Sequence, residues 1–175
     1  MIAMNRLIIN TLLVTLPLSP VWLTPQAQAA SADRKLPLEI EADRKHTDYK
    51  GGVATYEGRV IIRQGQLLLQ GDKATIQLRD GQFDRAMLEG SPATYQDRDD
   101  AGQPIRGEAH RMDYQALDEV ITLSGRARVE RAGDVLASER IVYRLKSEVV
   151  DAGAGGGDRV RMTLQPRNTR EGTKP

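Results

Sequence analysis

The chain has 175 residues, in which 25 lysines and arginines are set against 24 aspartates and glutamates, with no cysteine. So even a balance excludes a nucleic-acid binder, which needs a basic surplus to displace counterions. Without cysteine there is no disulfide framework, so stability must come from burial and backbone pairing within a single domain.

The N-terminal segment is an address. Asn5 and Arg6 precede the apolar run "LIINTLLVTLPLSPVWL", and "AQA" at Ala27, Gln28 and Ala29 closes it with a small-x-small cleavage pattern. Residues 1–29 read as a cleaved secretory signal peptide. Pro17 and Pro20 interrupt the run, which falls short of the roughly 20 apolar residues a bilayer span needs, so a permanent membrane anchor is not expected. No cysteine follows, which excludes anchoring through a lipidated N-terminal Cys. Losing Arg6 lowers the 25 basic residues by one, equal to the 24 acidic ones, so the mature chain is neutral overall.

A short extension, residues 30–35, leads into the domain expected over residues 36–166. Its first half, "VATYEGRVIIRQGQLLLQGDKATIQL", alternates apolar and polar residues, as at Val60 and Ile62 or Ala74, Ile76 and Leu78. Glycines at 58, 65 and 71 divide it into what read as short strands. Period-2 alternation bounded by Gly and Asp is the strand signal, and helical spacing is nowhere sustained. "RDGQ" at 79–82, "DDAGQP" at 99–104 and "AGD" at 132–134 mark reversals.

The same rhythm returns in "VITLSGRARVERAGDVLASERIVYRL" at a fixed offset of 67 residues. Val53 meets Val120, Gly58 and Arg59 meet Gly125 and Arg126, Leu69 meets Leu136, and Leu78 meets Leu145, without a gap. The expected fold is all-β: an antiparallel, twisted two-sheet β-jelly roll built from a duplicated half-domain, because strands this closely spaced leave no room for parallel crossovers. With one Phe and a single Trp that lies in the leader, its inner faces must be filled by aliphatics and Tyr, and an apolar slot between the sheets is expected. A polar tail, residues 167–175, ends the chain.

Few residues suit catalysis. His46 in "DRKHTD" and His110 in "GEAHRM" lie in polar segments without ligand spacing and read as solvated surface groups. The acidic run "DRDD", Asp97 to Asp100, lacks the ligand spacing and bidentate Glu of a calcium loop and reads as a solvated turn. "GAGGGD" at 153–158 lacks the Lys-Ser or Lys-Thr pair of a phosphate-binding loop and reads as a loop that permits positive φ. No enzymatic activity, cofactor or metal is expected.

The stretches "LPLEIEADRKHTDYKGGVATYEGRVIIRQGQLLLQGDKATI" and "IRGEAHRMDYQALDEVITLSGRARV", with "SPATYQ", "SERIVYRLK" and "RVRMTLQP", resemble the OstA-like family of periplasmic lipopolysaccharide-transport proteins. The resemblance spans residues 36–166. It implies a V-shaped jelly roll that carries lipopolysaccharide through the periplasm with the lipid A acyl chains in its interior. It also implies head-to-tail stacking of protomers between LptC, with its inner-membrane ABC transporter complex, and the outer-membrane LptD/LptE translocon. The lipid-contact positions it implies are Leu38, Ile40, Tyr95, Tyr114 and Ala116.

Physical chemistry agrees with such cargo: at about 0.8 kcal/mol per CH₂, an acyl chain of a dozen carbons costs roughly 10 kcal/mol to leave in water. Two other readings suit the same pattern. One is a periplasmic scaffold of the outer-membrane translocon that carries no lipid. The other is a β-solenoid glycan hydrolase or lyase, disfavoured by the lack of aromatic residues for stacking on sugars.

Overall fold

The computed structural model describes residues 36–153 and 159–166. The expected signal peptide, the extension, the tail and residues 154–158 of "GAGGGD" lie outside these. Among the described residues the regular structure is all strand: β1 (Glu39–Glu41), β2 (Arg44–Asp48), β3 (Val53–Gln64), β4 (Leu67–Arg79), β5 (Gln82–Arg98), β6 (Pro104–Gln115), β7 (Val120–Arg131), β8 (Asp134–Arg144), β9 (Val149–Ala152) and β10 (Arg161–Thr163). The three expected reversals are all turns, and at two of them paired positive-φ residues, Asp80-Gly81 and Ala132-Gly133, make the two-residue hairpins that match strand twist.

The strands are longer than their glycines suggest. Gly65 does end a strand, but Gly58 and Gly71 lie inside β3 and β4. They mark a crease instead. Register shifts fall at Glu57/Val60, Gln70/Lys73, Glu89/Ala93, Glu108/Arg111 and Ser124/Ala127, side by side across five neighbouring strand pairs. In β5 the buried positions change from Ala86 and Leu88 to Ala93, Tyr95 and Asp97, and in β6 from Ile105 and Ala109 to Met112 and Tyr114. The bulge thus shifts the alternation by one residue and keeps apolar side chains on one face through the bend.

All ten strands belong to one antiparallel sheet, ordered β1-β3-β4-β5-β6-β7-β8-β10, with β2 beside β3 and β9 beside β8. The expected two-sheet jelly roll is therefore one continuous sheet folded along its crease. Each edge is split: Ile40 of β1 faces Ile62 and His46 of β2 faces Thr55, both on β3, while β9 and β10 share β8 in the same manner. The edge strands β1 and β10 are short, three residues each, and each has a second edge piece next to it.

An ion pair proves the bend. Strand β8 has 11 residues, which would separate its ends by roughly 35 Å if straight. Yet Arg131, just before it, donates to Glu148, just after it, at 2.6 Å. The tips of the two arms meet.

The offset of 67 recurs in the backbone. Arg59 and Arg126 have φ of 46° and 52°, following Gly58 and Gly125 at 79° and 81°, and Gly52 and Glu119 have 66° and 51°. Leu78 N–H donates to Gly52 O and Leu145 N–H to Glu119 O, each at 2.8 Å. Gly125 is needed for two reasons: its φ is left-handed, and a Cβ there would sit 3.0 Å from the Cβ of His110. Gly125→Ala should cost about 2 kcal/mol, against about 1 kcal/mol for Gly81→Ala, where φ is +77° but the space is open. Urea midpoints of the two variants check the difference.

Candidate functional site: the apolar interior

The inner face of the folded sheet is apolar through its centre, with buried polar side chains gathered at one tip. Val60, Ile62, Leu67 and Leu69 on one arm, with Ile105 and Val129, face Ile76, Leu88, Met112, Leu123 and Ile141 on the other, all buried. Three tyrosines complete it: Tyr95, Tyr114 and Tyr143 are each about 1% exposed. The paucity of Phe and Trp is thus made good by Tyr, whose hydroxyls need partners when buried. Tyr95 donates to Asp97 at 3.1 Å. Burial pushes the Tyr143 hydroxyl up to about 12, only partly offset by the nearby Arg131 guanidinium. Tyr114 packs against Phe83, their rings 6.1 Å apart.

Polarity differs between the two tips. Gln64, Asp97 and Asp99 are buried at the tip formed by the β3–β4 and β5–β6 turns. Asp99 accepts a bond from the Arg131 Nε at 2.9 Å, with Nη2 of the same guanidinium 2.8 Å from that oxygen, and another at 2.7 Å from the backbone N–H of Gln103. Arg131 in turn reaches Glu148, which also accepts from the Asp100 N–H at 3.4 Å. The solvated turn expected at Asp97 to Asp100 is therefore corrected. Asp97 and Asp99 are drawn inward, because the folded arms close over the turn and an Arg satisfies the buried carboxylate. At the opposite tip Phe83, Ala116 and Leu145 are half-buried against the core, and Leu78 and Leu117 are exposed.

The positions singled out from the sequence separate into two groups. Leu38 and Ile40 lie half-buried along the β1 edge, and Ala116 lies at the apolar tip, all three packed on the core from its rim. Tyr95 and Tyr114 stand inside the closed centre. His46 and His110 are both at the surface. Sequence reasoning passed over Arg131 and Glu148, although a signal existed: the corresponding first-half positions are Gln64 and Gly81, which cannot form an ion pair with each other. The outer face carries cross-strand pairs such as Arg63–Glu41, Arg111–Glu89 and Arg85–Asp113, of which the exposed ones contribute little to stability.

The inner surface does not stop at the sheet's edges. Met162 of β10 lies opposite the core-packed Leu136, so it extends the inner face outward, and Val160, Met162 and Leu164 are exposed. At the other edge Ile40 lies opposite buried Ile62, with Leu38 half-buried and Leu36 exposed before it. Apolar lining thus runs out over both open edges.

These features define an all-β, OstA-like jelly roll with an apolar interior. Residues 39–149 match the family model described as LptA/(LptD N-terminal domain) LPS transport protein. The chain belongs to that family. It is 29% identical over 164 residues to the lipopolysaccharide export system protein LptA of Escherichia coli K12, covering 93% of this chain and 87% of that protein. It is also 28% identical over 168 residues to the lipopolysaccharide export system protein LptH of Pseudomonas aeruginosa, covering 91% and 96%. The crystal structure of that organism's LptH, described as the LptA-homologous periplasmic component of its lipopolysaccharide transport device, superimposes with a TM-score of 0.72. That superposition has 27% identity and covers 77% of this chain and 99% of the other.

The Asp99 side chain is 1% exposed and that of Arg131 37%. Breaking a buried pair costs about 3–5 kcal/mol when both partners are enclosed. With Arg131 partly solvated, Asp99→Ala should cost about 2–3 kcal/mol. Chemical denaturation checks it, and the melting temperature should not respond to calcium before or after the change.

Proposed function

We propose that this protein is a periplasmic, non-enzymatic carrier of lipopolysaccharide that shields the lipid A acyl chains between the arms of its folded sheet. One observation carries the reading: a continuous apolar inner face that is closed in the middle and runs out over both unpaired edges. Acyl chains replace the contacts between the arms, so hydrocarbon exchanges one apolar surface for another and water is excluded throughout. Half-buried Leu38, Ile40 and Ala116 meet the lipid first at the rim. Tyr95 and Tyr114 line the space opened as the arms part.

The same reading extends to assembly. Edges with unpaired N–H and C=O groups are templates for another chain. The β9/β10 edge of one protomer adds to the β1/β2 edge of the next, so that Val160, Met162 and Leu164 meet Leu36, Leu38 and Ile40 and the apolar lining is continuous. This heterologous contact repeats without closing. The terminal edges meet LptC, with the inner-membrane ABC transporter complex, at one end and LptD/LptE at the other. Energy comes from that transporter.

Ile40→Asp puts a charge on the rim and should weaken binding of fluorescent lipopolysaccharide by about tenfold or more while circular dichroism stays β-rich. Tyr114→Asp is unsuitable, because a charge in the closed centre would unfold the protein before it tested binding. Unchanged binding by Ile40→Asp would point to a scaffold without cargo. Deleting residues 160–175 should leave a folded protein that binds lipid but no longer self-associates at high concentration in light scattering. Persistence of the same oligomers would move the interface to the sheet faces.

A further inference from the structure

On the outer face of the second half, β7, β8 and β10 enclose a groove of about 420 Å³. Four guanidiniums line it, those of Arg126, Arg128, Arg159 and Arg161. Ala137 is paired in register with Arg128 on one side and Arg161 on the other, so all three share a face and only a methyl stands between two arginine-bearing strands. Carboxylates are present too. Glu108 and Glu130 lie 3.8 and 3.3 Å from Arg128, and Glu139 accepts the backbone N–H of Arg126 at 3.2 Å. Among the described residues no carboxylate pairs with the guanidiniums of Arg126, Arg159 or Arg161.

Comparison of the halves shows that this surplus is particular to the second. In the first crease the left-handed Arg59 is held by Asp43, its Nε 3.0 Å from that carboxylate. At the same offset of 67 the place of Asp43 is taken by His110, which packs beside Gly125 as Asp43 packs beside Gly58. Arg126 keeps the unfavourable φ of 52° without the local carboxylate that neutralises its counterpart.

We propose that this groove binds a phosphate monoester: Arg126, Arg159 and Arg161 neutralise the dianion, and Arg128 closes the acidic side. Several guanidiniums around a small opening suit a compact group with multiple acceptor oxygens, which the guanidinium fork grips in pairs. The site lies on the face opposite the apolar interior and stands whether or not that interior carries lipid.

Titration calorimetry of the intact protein with inorganic phosphate and with glucose 1-phosphate tests it. One saturable site is expected, weakened about tenfold or more in Arg126→Gln and in Arg161→Gln, both of which change exposed side chains. No saturable binding, or equal binding by wild type and both arginine variants, overturns the proposal. Lipopolysaccharide with and without its phosphates then separates the sources. A headgroup site makes dephosphorylation weaken binding to the wild type but not to the doubly substituted Arg126→Gln, Arg161→Gln protein. A site for free phosphate leaves lipid binding equal in all four combinations. Failure of lipid carriage is distinct from either, since phosphate would still bind where no lipid does.

Discussion

A single sheet with one apolar face has nothing to bury it against except itself, and that constraint organises the protein. Antiparallel strands of 11 to 17 residues, from β3 to β8, would present a long hydrophobic surface to water if they lay flat. Folding the sheet along a line of aligned bulges brings the face onto itself and removes it from solvent. The bulges make this possible by shifting the side-chain alternation at the bend, so both arms turn apolar residues inward. Everything else follows from the fold-over. The edges cannot close into a barrel, the tips are brought together, and the outer face is left to charged residues.

The halves share a backbone plan and differ in chemistry. In the second half Arg131 ties the β5–β6 turn to the β8–β9 turn through Asp99 and Glu148, whereas Gln64 and Gly81 occupy the corresponding first-half positions. The crease arginine is neutralised by Asp43 in the first half, and in the second His110 takes the place of that carboxylate, packed beside Gly125. Such differences give a nearly symmetric scaffold a direction: one side is clasped at its tips and basic on its outer face, the other lacks both features.

Rigidity and access are divided along the inner surface. Fully buried Leu, Ile and Tyr side chains fill the centre and exclude water from it. Half-buried Leu38, Ile40, Phe83, Ala116 and Leu145 form the margins, where fewer contacts must be exchanged to admit hydrocarbon. Along the open edges the lining residues are exposed.

Period-2 alternation, turn residues and the offset of 67 residues are properties of the sequence alone, and they determined the all-β class, the antiparallel pairing and the positions of the hairpins, while the family was legible from the motifs that resemble it. The residues of the core were legible for the same reason, since facing is set by alternation. What depended on the bend was not. Gly58 and Gly71 read as strand ends because a bulge and a turn use the same residue types, and only pairing with the neighbouring strand distinguishes them. Asp97 and Asp99 read as solvated because their partner Arg131 is distant in sequence and comes close only when the two tips meet. Tyr95 and Tyr114 read as groove residues like Leu38 and Ile40, yet the fold puts the first two in the centre and the others at the rim. Burial is decided by what covers a strand, and in a sheet that covers itself only the tertiary structure supplies the cover.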